Sequence, residues 1–141
     1  MQERLYRRAY LQLMKTSSIL EQRIKKILKP SGITHIQFHI LRMLAEAHPS
    51  PSKPKDIKES LIISSPDVTR ILDRMVAKGW IDRNTCPSNR RQVDVTISHS
   101  GRELFHKVNG QLQNGIDHYL SDKITEEEIQ GLLRIVGRIN S

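Results

Sequence analysis

The sequence predicts a mainly α-helical fold carrying one small β-hairpin, and three observations lead there. Apolar residues recur at a period near 3.6 through most of the chain, as in Val68, Ile71, Leu72, Met75 and Val76. The stretch Gln92 to Ile97 instead alternates Val93, Val95 and Ile97 with Asp94 and Thr96, the period-two pattern of a half-buried strand. Between these patterns stand Gly79, a left-handed helix stop, and a turn-rich stretch from Thr85 to Arg91. The 141 residues allow one domain with one modest core, and 37% hydrophobic content with few aromatics points to a Leu/Ile interior.

The elements follow in order. Residues 3–28 form a long helix with Leu5, Ala9, Leu13, Leu20, Ile24, Ile27 and Leu28 on one side; Arg7, Arg8, Lys15, Arg23, Lys25 and Lys26 are available for the other. Lys29-Pro30-Ser31-Gly32 ends it, because proline and the residue before it resist helical continuation. Thr34 and Gln37 have the spacing of a capping box and open a second helix, with Phe38, Leu41, Leu44 and Ala45 inward. After a Ser/Pro loop, Pro54 suits the first position of a short third helix, with Asp56 in its first turn and Ile57 and Leu61 facing in.

The fourth helix is predicted over 66–78, with Ser65 as N-cap and Pro66 at the first helical position. Its inner stripe is Val68, Ile71, Leu72, Met75 and Val76, and its outer face carries Asp67, Thr69, Arg70, Asp73 and Arg74. Two strands, Trp80 to Asn84 and Gln92 to Ile97, enclose a loop over Thr85 to Arg91 with Arg90 and Arg91 at its tip. A helix then starts at Ser98 or Ser100 and carries Leu104, Val108, Leu112, Ile116, Tyr119 and Leu120. Thr125 followed by three glutamates combines a capping box with acids at a positive helix end. The last stripe is Ile129, Leu132, Leu133, Val136 and Ile139.

Two helices joined by a brief turn, the second with a polar outer face, followed by a cationic hairpin, make a winged helix-turn-helix DNA-binding unit over about residues 33–99. The apolar helices at the two ends, about 3–28 and 100–140, carry more stripe than one small fold can cover and predict a homodimer within a single domain, 1–141. Charge agrees with a polyanionic partner. The net charge is +8, and residues 1–30 hold eight Lys/Arg against two acids while 70–99 hold six against three. Residues 100–141 hold five against six, so that part is not a nucleic-acid surface.

Other classes find little support. No run approaches the roughly 18 apolar residues of a membrane span, and the basic amino terminus lacks the features of a signal peptide. The single cysteine, Cys86, excludes an intramolecular disulfide and fits a cytoplasmic protein. No Gly-rich phosphate loop, nucleophile elbow or Cys/His cluster is present, so neither an enzyme nor a cofactor or metal site is expected. His35 and His39 lie four apart but lack further ligands nearby in sequence, and they read as structural.

The residues resemble the MarR family of bacterial transcription regulators over nearly the whole chain. The likeness is carried by Thr34-His35-Ile36-Gln37-Phe38-His39-Ile40-Leu41 and by the run from Val68-Thr69-Arg70-Ile71-Leu72-Asp73-Arg74 through Lys78-Gly79-Trp80-Ile81-Asp82-Arg83. Asn89-Arg90-Arg91, six residues before Ile97-Ser98, is similar to the family's wing signature. The resemblance implies a homodimeric winged helix that binds a pseudo-palindromic operator, usually as a repressor released by a small-molecule effector or by oxidation. It departs from the family at Asn89, where the family has an aspartate that orients the wing arginine through a charged pair. A looser wing is therefore expected.

The candidate DNA-binding residues are Ser65, Pro66, Asp67, Thr69, Arg70 and Arg74 in the fourth helix, directed to the major groove, and Asn89, Arg90 and Arg91 in the wing 84–92, directed to the minor groove. Arginine's fork suits guanine O6 and N7, and equally suits a phosphate. Asp67 fits either a cytosine N4 contact or plain stabilisation of the first turn. Arg70 and Arg74 could instead form a solvated face with Asp73, and the wing a solvated loop. Cys86 reads as an ordinary loop cysteine, with thiol sensing aided by Arg83, Arg90 or Arg91 as the lesser alternative. The other function class is a winged helix serving protein contacts without specific DNA binding, which calls for an apolar outer face on helix 66–78.

Overall fold

Local caps decide where several of the helices begin. The structure, a computed structural model, describes residues 2–61 and 67–141. Its order is α1 (Gln2–Leu28), a 3-10 turn (Lys29–Ser31), α2 (His35–Ala47), α3 (Pro54–Ser60), α4 (Val68–Ala77), β1 (Ile81–Cys86), β2 (Asn89–Ile97), α5 (His99–Ser121) and α6 (Glu126–Ile139). The Thr34 capping box forms as expected: its hydroxyl accepts from the Gln37 amide, and the Gln37 side chain accepts from the Thr34 amide. Gln37 is buried with that bond satisfied, which is why a polar residue is tolerated there. The same reciprocal pair joins Thr125 and Glu128 at the start of α6. Pro54 lies in the first turn of α3. Gly32 ends the 3-10 turn with φ at +67°.

The chain divides into two compact units, residues 28–110 and residues 1–27 with 111–141. In the first, Ile40, Leu41 and Leu44 of α2, Ile57 of α3, Leu72 and Met75 of α4, Ile81 of β1, Val95 of β2 and Val108 of α5 are fully buried. Phe38 stacks on Phe105 with ring centroids 5.7 Å apart. Burial of each large side chain is worth about 1.5–3 kcal/mol, so this set fixes which side of α4 turns inward. Of the predicted stripe, Val68, Leu72 and Met75 are buried and Ile71 is half-buried, while Val76 departs from it and is exposed.

β1 and β2 form an antiparallel ribbon pairing Ile81 with Ile97, Arg83 with Val95 and Thr85 with Val93. The strands reach further than predicted. They run to Cys86 and from Asn89, leaving Pro87 and Ser88 as the turn, so Arg90 and Arg91 lie in β2 rather than in a loop. Thr85 pairs with Val93 but Cys86 pairs with Asn89, so Arg90, Arg91 and Gln92 bulge opposite a single step of β1. Ser52, in the loop before α3, exchanges both backbone hydrogen bonds with Val95, at 2.9 and 2.8 Å.

The end of α4 is a Schellman motif. Gly79, at φ +74°, donates to the Val76 carbonyl, and Trp80 donates to that of Met75. Two hydroxyls from the next element lock this corner, Ser98 and Ser100 both donating to the Gly79 carbonyl at 2.5 and 2.7 Å. Ser98 also accepts from the Gly101 amide, which makes it rather than Ser100 the cap of α5.

In the second unit, Arg23 lies over the Tyr119 ring at 3.6 Å and Lys123 lies near it at 5.0 Å, tying α1 to the end of α5. α6 contributes no buried residue, and Leu132, Leu133, Ile135 and Ile139 are exposed. Leu5, Tyr6, Tyr10, Leu11, Leu13 and Met14 are exposed along α1. No described helix is long and apolar enough to cross a membrane.

Candidate nucleic-acid interface

α4 presents two chemically different faces. Val68, Leu72 and Met75 are buried, while Asp67, Thr69, Arg70, Asp73 and Arg74 are exposed, so the outer face is polar along the described helix. The described helix runs from Val68, and its N-cap is Asp67, whose Oδ1 accepts from the Arg70 amide. Ser65 and Pro66 lie outside the described residues. Of the two readings given for Asp67, the structure shows stabilisation of the first turn.

Neither outer arginine pairs with Asp73. Arg70 Nε lies 3.2 Å from Asp67 Oδ2, while Asp73 takes Arg83 of β1 at 2.7 Å. That second pair spans ten residues of sequence and joins the outer face of α4 to the ribbon. Arg83 is the less exposed partner, and its Nε is buried without a hydrogen-bond partner among the described residues. Lys78 is committed to the fold, donating to the Gly32 carbonyl and lying 4.6 Å from the Trp80 ring centre.

In the wing, Asn89 Oδ1 accepts from the Arg91 amide at 3.1 Å. The amide thus orders the backbone at Arg91, a task for which no negative charge is needed, and Arg90 and Arg91 stay exposed. The Gln92 side chain accepts from Lys53, the N-cap position of α3, 39 residues earlier. Sequence reading missed Lys53, Gln92 and Ser52, and no local pattern marks them, because each matters only once loop and ribbon meet.

Cys86 is buried rather than lying in an open loop. Its Sγ is 3.2 Å from Ser88 Oγ. The Ser88 hydroxyl, with the amides of Ser88 and Asn89, holds the thiol below its ordinary pKa against burial and Asp94; arginines are not the cause. His35 and His39 pack ring to ring at 4.3 Å, and among the described residues no three His, Cys, Asp or Glu groups converge as metal ligands.

Residues 33–93 match the model of the MarR family. The chain is 26% identical over 116 residues to the multiple antibiotic resistance protein MarR of Escherichia coli K12, covering 82% of this chain and 79% of that protein. Its fold is similar to that of a MarR-like transcription regulator from Bacillus cereus, with a TM-score of 0.85 at 18% identity over 96% of this chain and 95% of that one. It is also similar to a mutant MarR from E. coli complexed with operator DNA, with a TM-score of 0.80 at 24% identity over 90% and 89% of the two chains. With a helix-turn-helix, a wing and a family match in one place, residues 33–93 carry a MarR-family domain.

Proposed function

We propose that the protein is a cytoplasmic, sequence-specific DNA-binding transcriptional regulator, acting as a repressor. As a homodimer it binds a pseudo-palindromic operator, α4 in the major groove and the wing at the minor groove. The observation that carries this is the outer face of α4: Thr69, Arg70 and Arg74 are exposed while Val68, Leu72 and Met75 are buried in the core. A protein-docking helix would expose apolar residues there, and Val76 alone is too little for that. The operator complex of the E. coli relative supports the same use of the fold. A small-molecule effector is part of this reading.

Selection from a random DNA library tests the proposal. The expected product is an inverted repeat with half-site centres about one helical turn apart. Recovery of no motif above background overturns it. Replacing Arg70 with alanine is expected to cost roughly 1–3 kcal/mol and to relax preference at one base pair per half-site. Uniform weakening with an unchanged motif would assign Arg70 to phosphate.

The wing gives a different signature. Arg91→Ala is expected to weaken binding to every sequence and to reduce the slope of log affinity against log salt by about 1 for each subunit, one counterion fewer being released. An unchanged slope, measured between low and moderate salt, would remove Arg91 from the phosphate and minor-groove surface.

A further inference from the structure

The first turn of α4 holds a carboxylate with two engagements. Asp67 Oδ1 accepts from the Arg70 amide at 3.3 Å, and Oδ2 faces Arg70 Nε at 3.2 Å. The two side chains are 51% and 72% exposed, so as an ion pair they add little to stability. The consequence is geometric. A guanidinium offers a side edge, made by Nε and one Nη, and an end edge made by both Nη groups. With a carboxylate beside Nε, the end edge is the one left for an outside partner, and its parallel donors match guanine O6 and N7.

The carboxylate also disfavours the competing use of the same arginine. A phosphate is held largely through charge, which Asp67 partly cancels, whereas a base edge is recognised through the direction of its acceptors. Asp67 moreover sits where the free amides of a helix start would otherwise take an anion. An acid at this point of a DNA-facing helix lowers affinity for the backbone and keeps the fork for a base.

We infer that Asp67 is a positioning residue for specificity, holding Arg70 from its Nε side so that the terminal Nη pair reads one guanine in each half-site. This rests on the function proposed above. The test determines base preference at every operator position for the full-length wild type, Asp67→Asn, Arg70→Ala and the double variant. Asparagine is as good an N-cap as aspartate, so α4 keeps its start, and thermal unfolding reports on that. Should it fail to fold, Asp67→Ser makes the same comparison with another favoured cap.

The expected result is a guanine preference at one pair per half-site that falls about three- to tenfold in Asp67→Asn, since a neutral acceptor holds the guanidinium roughly half as strongly. That fall should vanish when Arg70 is already alanine. Tighter binding with an unchanged guanine preference would overturn the inference and leave Asp67 a cap alone. A fall that persists in the Arg70→Ala background would also overturn it, by showing that Asp67 touches a base itself. A wild type with no motif at all would remove the proposed function, whereas a wild-type motif indifferent to Asp67 removes only this inference.

Discussion

Replacing Leu132 and Leu133 together with glutamate is expected to yield a folded monomer that has lost most of its operator affinity. Both side chains stand exposed on α6, at 44% and 67%, and no residue of α6 is fully buried, Ile129 and Val136 being half-buried. Its Thr125 capping box and the contacts of the winged unit do not depend on them, so helical content should survive. In a symmetric dimer each substitution acts twice, and burying a leucine is worth about 1.5–3 kcal/mol, so four lost leucines and four introduced charges exceed what such an interface can absorb. Two half-sites bound by linked modules gain about 10²–10⁴ over one. That range is the expected loss in operator affinity at protein concentrations below micromolar. Sedimentation is the decisive measurement, and a dimer persisting in the variant would place the interface elsewhere.

The largest effect on stability is expected at Gly101, near the start of α5. A Cβ there would lie 2.0 Å from the Trp80 carbonyl oxygen, 2.9 Å from its carbon and 3.0 Å from Ile97 Cγ1. The first two are backbone atoms and cannot rotate away. The Trp80 carbonyl is itself engaged, accepting from the Ser98 amide at 3.0 Å. Gly101→Ala must therefore push α5 off the corner where α4 ends, and it should break the hydroxyl bonds from Ser98 and Ser100 to Gly79. A cost of about 3 kcal/mol or more follows, which for a chain of this size lowers Tm by about 10 °C. Gly110, with nothing near its missing Cβ, is the control: alanine there should be neutral or stabilising. Similar melting of the two variants would show that the corner is looser than drawn.

How much of this was legible beforehand depended on distance along the chain. Thr34 with Gln37, Thr125 with Glu128, and Pro54 mark helix starts through contacts within four residues, and each helix begins where those residues say. Gly79 marks the end of α4 in the same way. At the start of α4, the cap expected at Ser65 lies outside the described residues, and Asp67, expected either to contact a base or to stabilise the first turn, is the N-cap of the described helix. The wing was harder. Asn84 to Gln92 shows no apolar alternation, yet Asn84, Thr85, Cys86 and Asn89 extend the ladder beyond Val93, with Arg90, Arg91 and Gln92 bulged between. The outward face of α4 was readable from period alone, while the ion pairs on it were not. Arg70 with Asp67 and Arg83 with Asp73 were chosen among several arginines within reach of several acids, and only the fold selects.

The bulge at the wing makes its length a free variable. Val95 is clamped on both sides, by Arg83 across the ribbon and by Ser52 from the loop before α3. Residues beyond Thr85 and Val93 can therefore be added or removed without sliding Val95 or Ile97 out of the core. A change of one residue in a regular hairpin would turn every side chain to the opposite face. Here the error would be absorbed by the three residues that already stand outside the ladder. Relatives could lengthen or shorten this reach, and so alter how far along the DNA they touch, while the core beneath drifts independently. Insertion of a single serine between Arg91 and Gln92 should accordingly leave the melting temperature nearly unchanged.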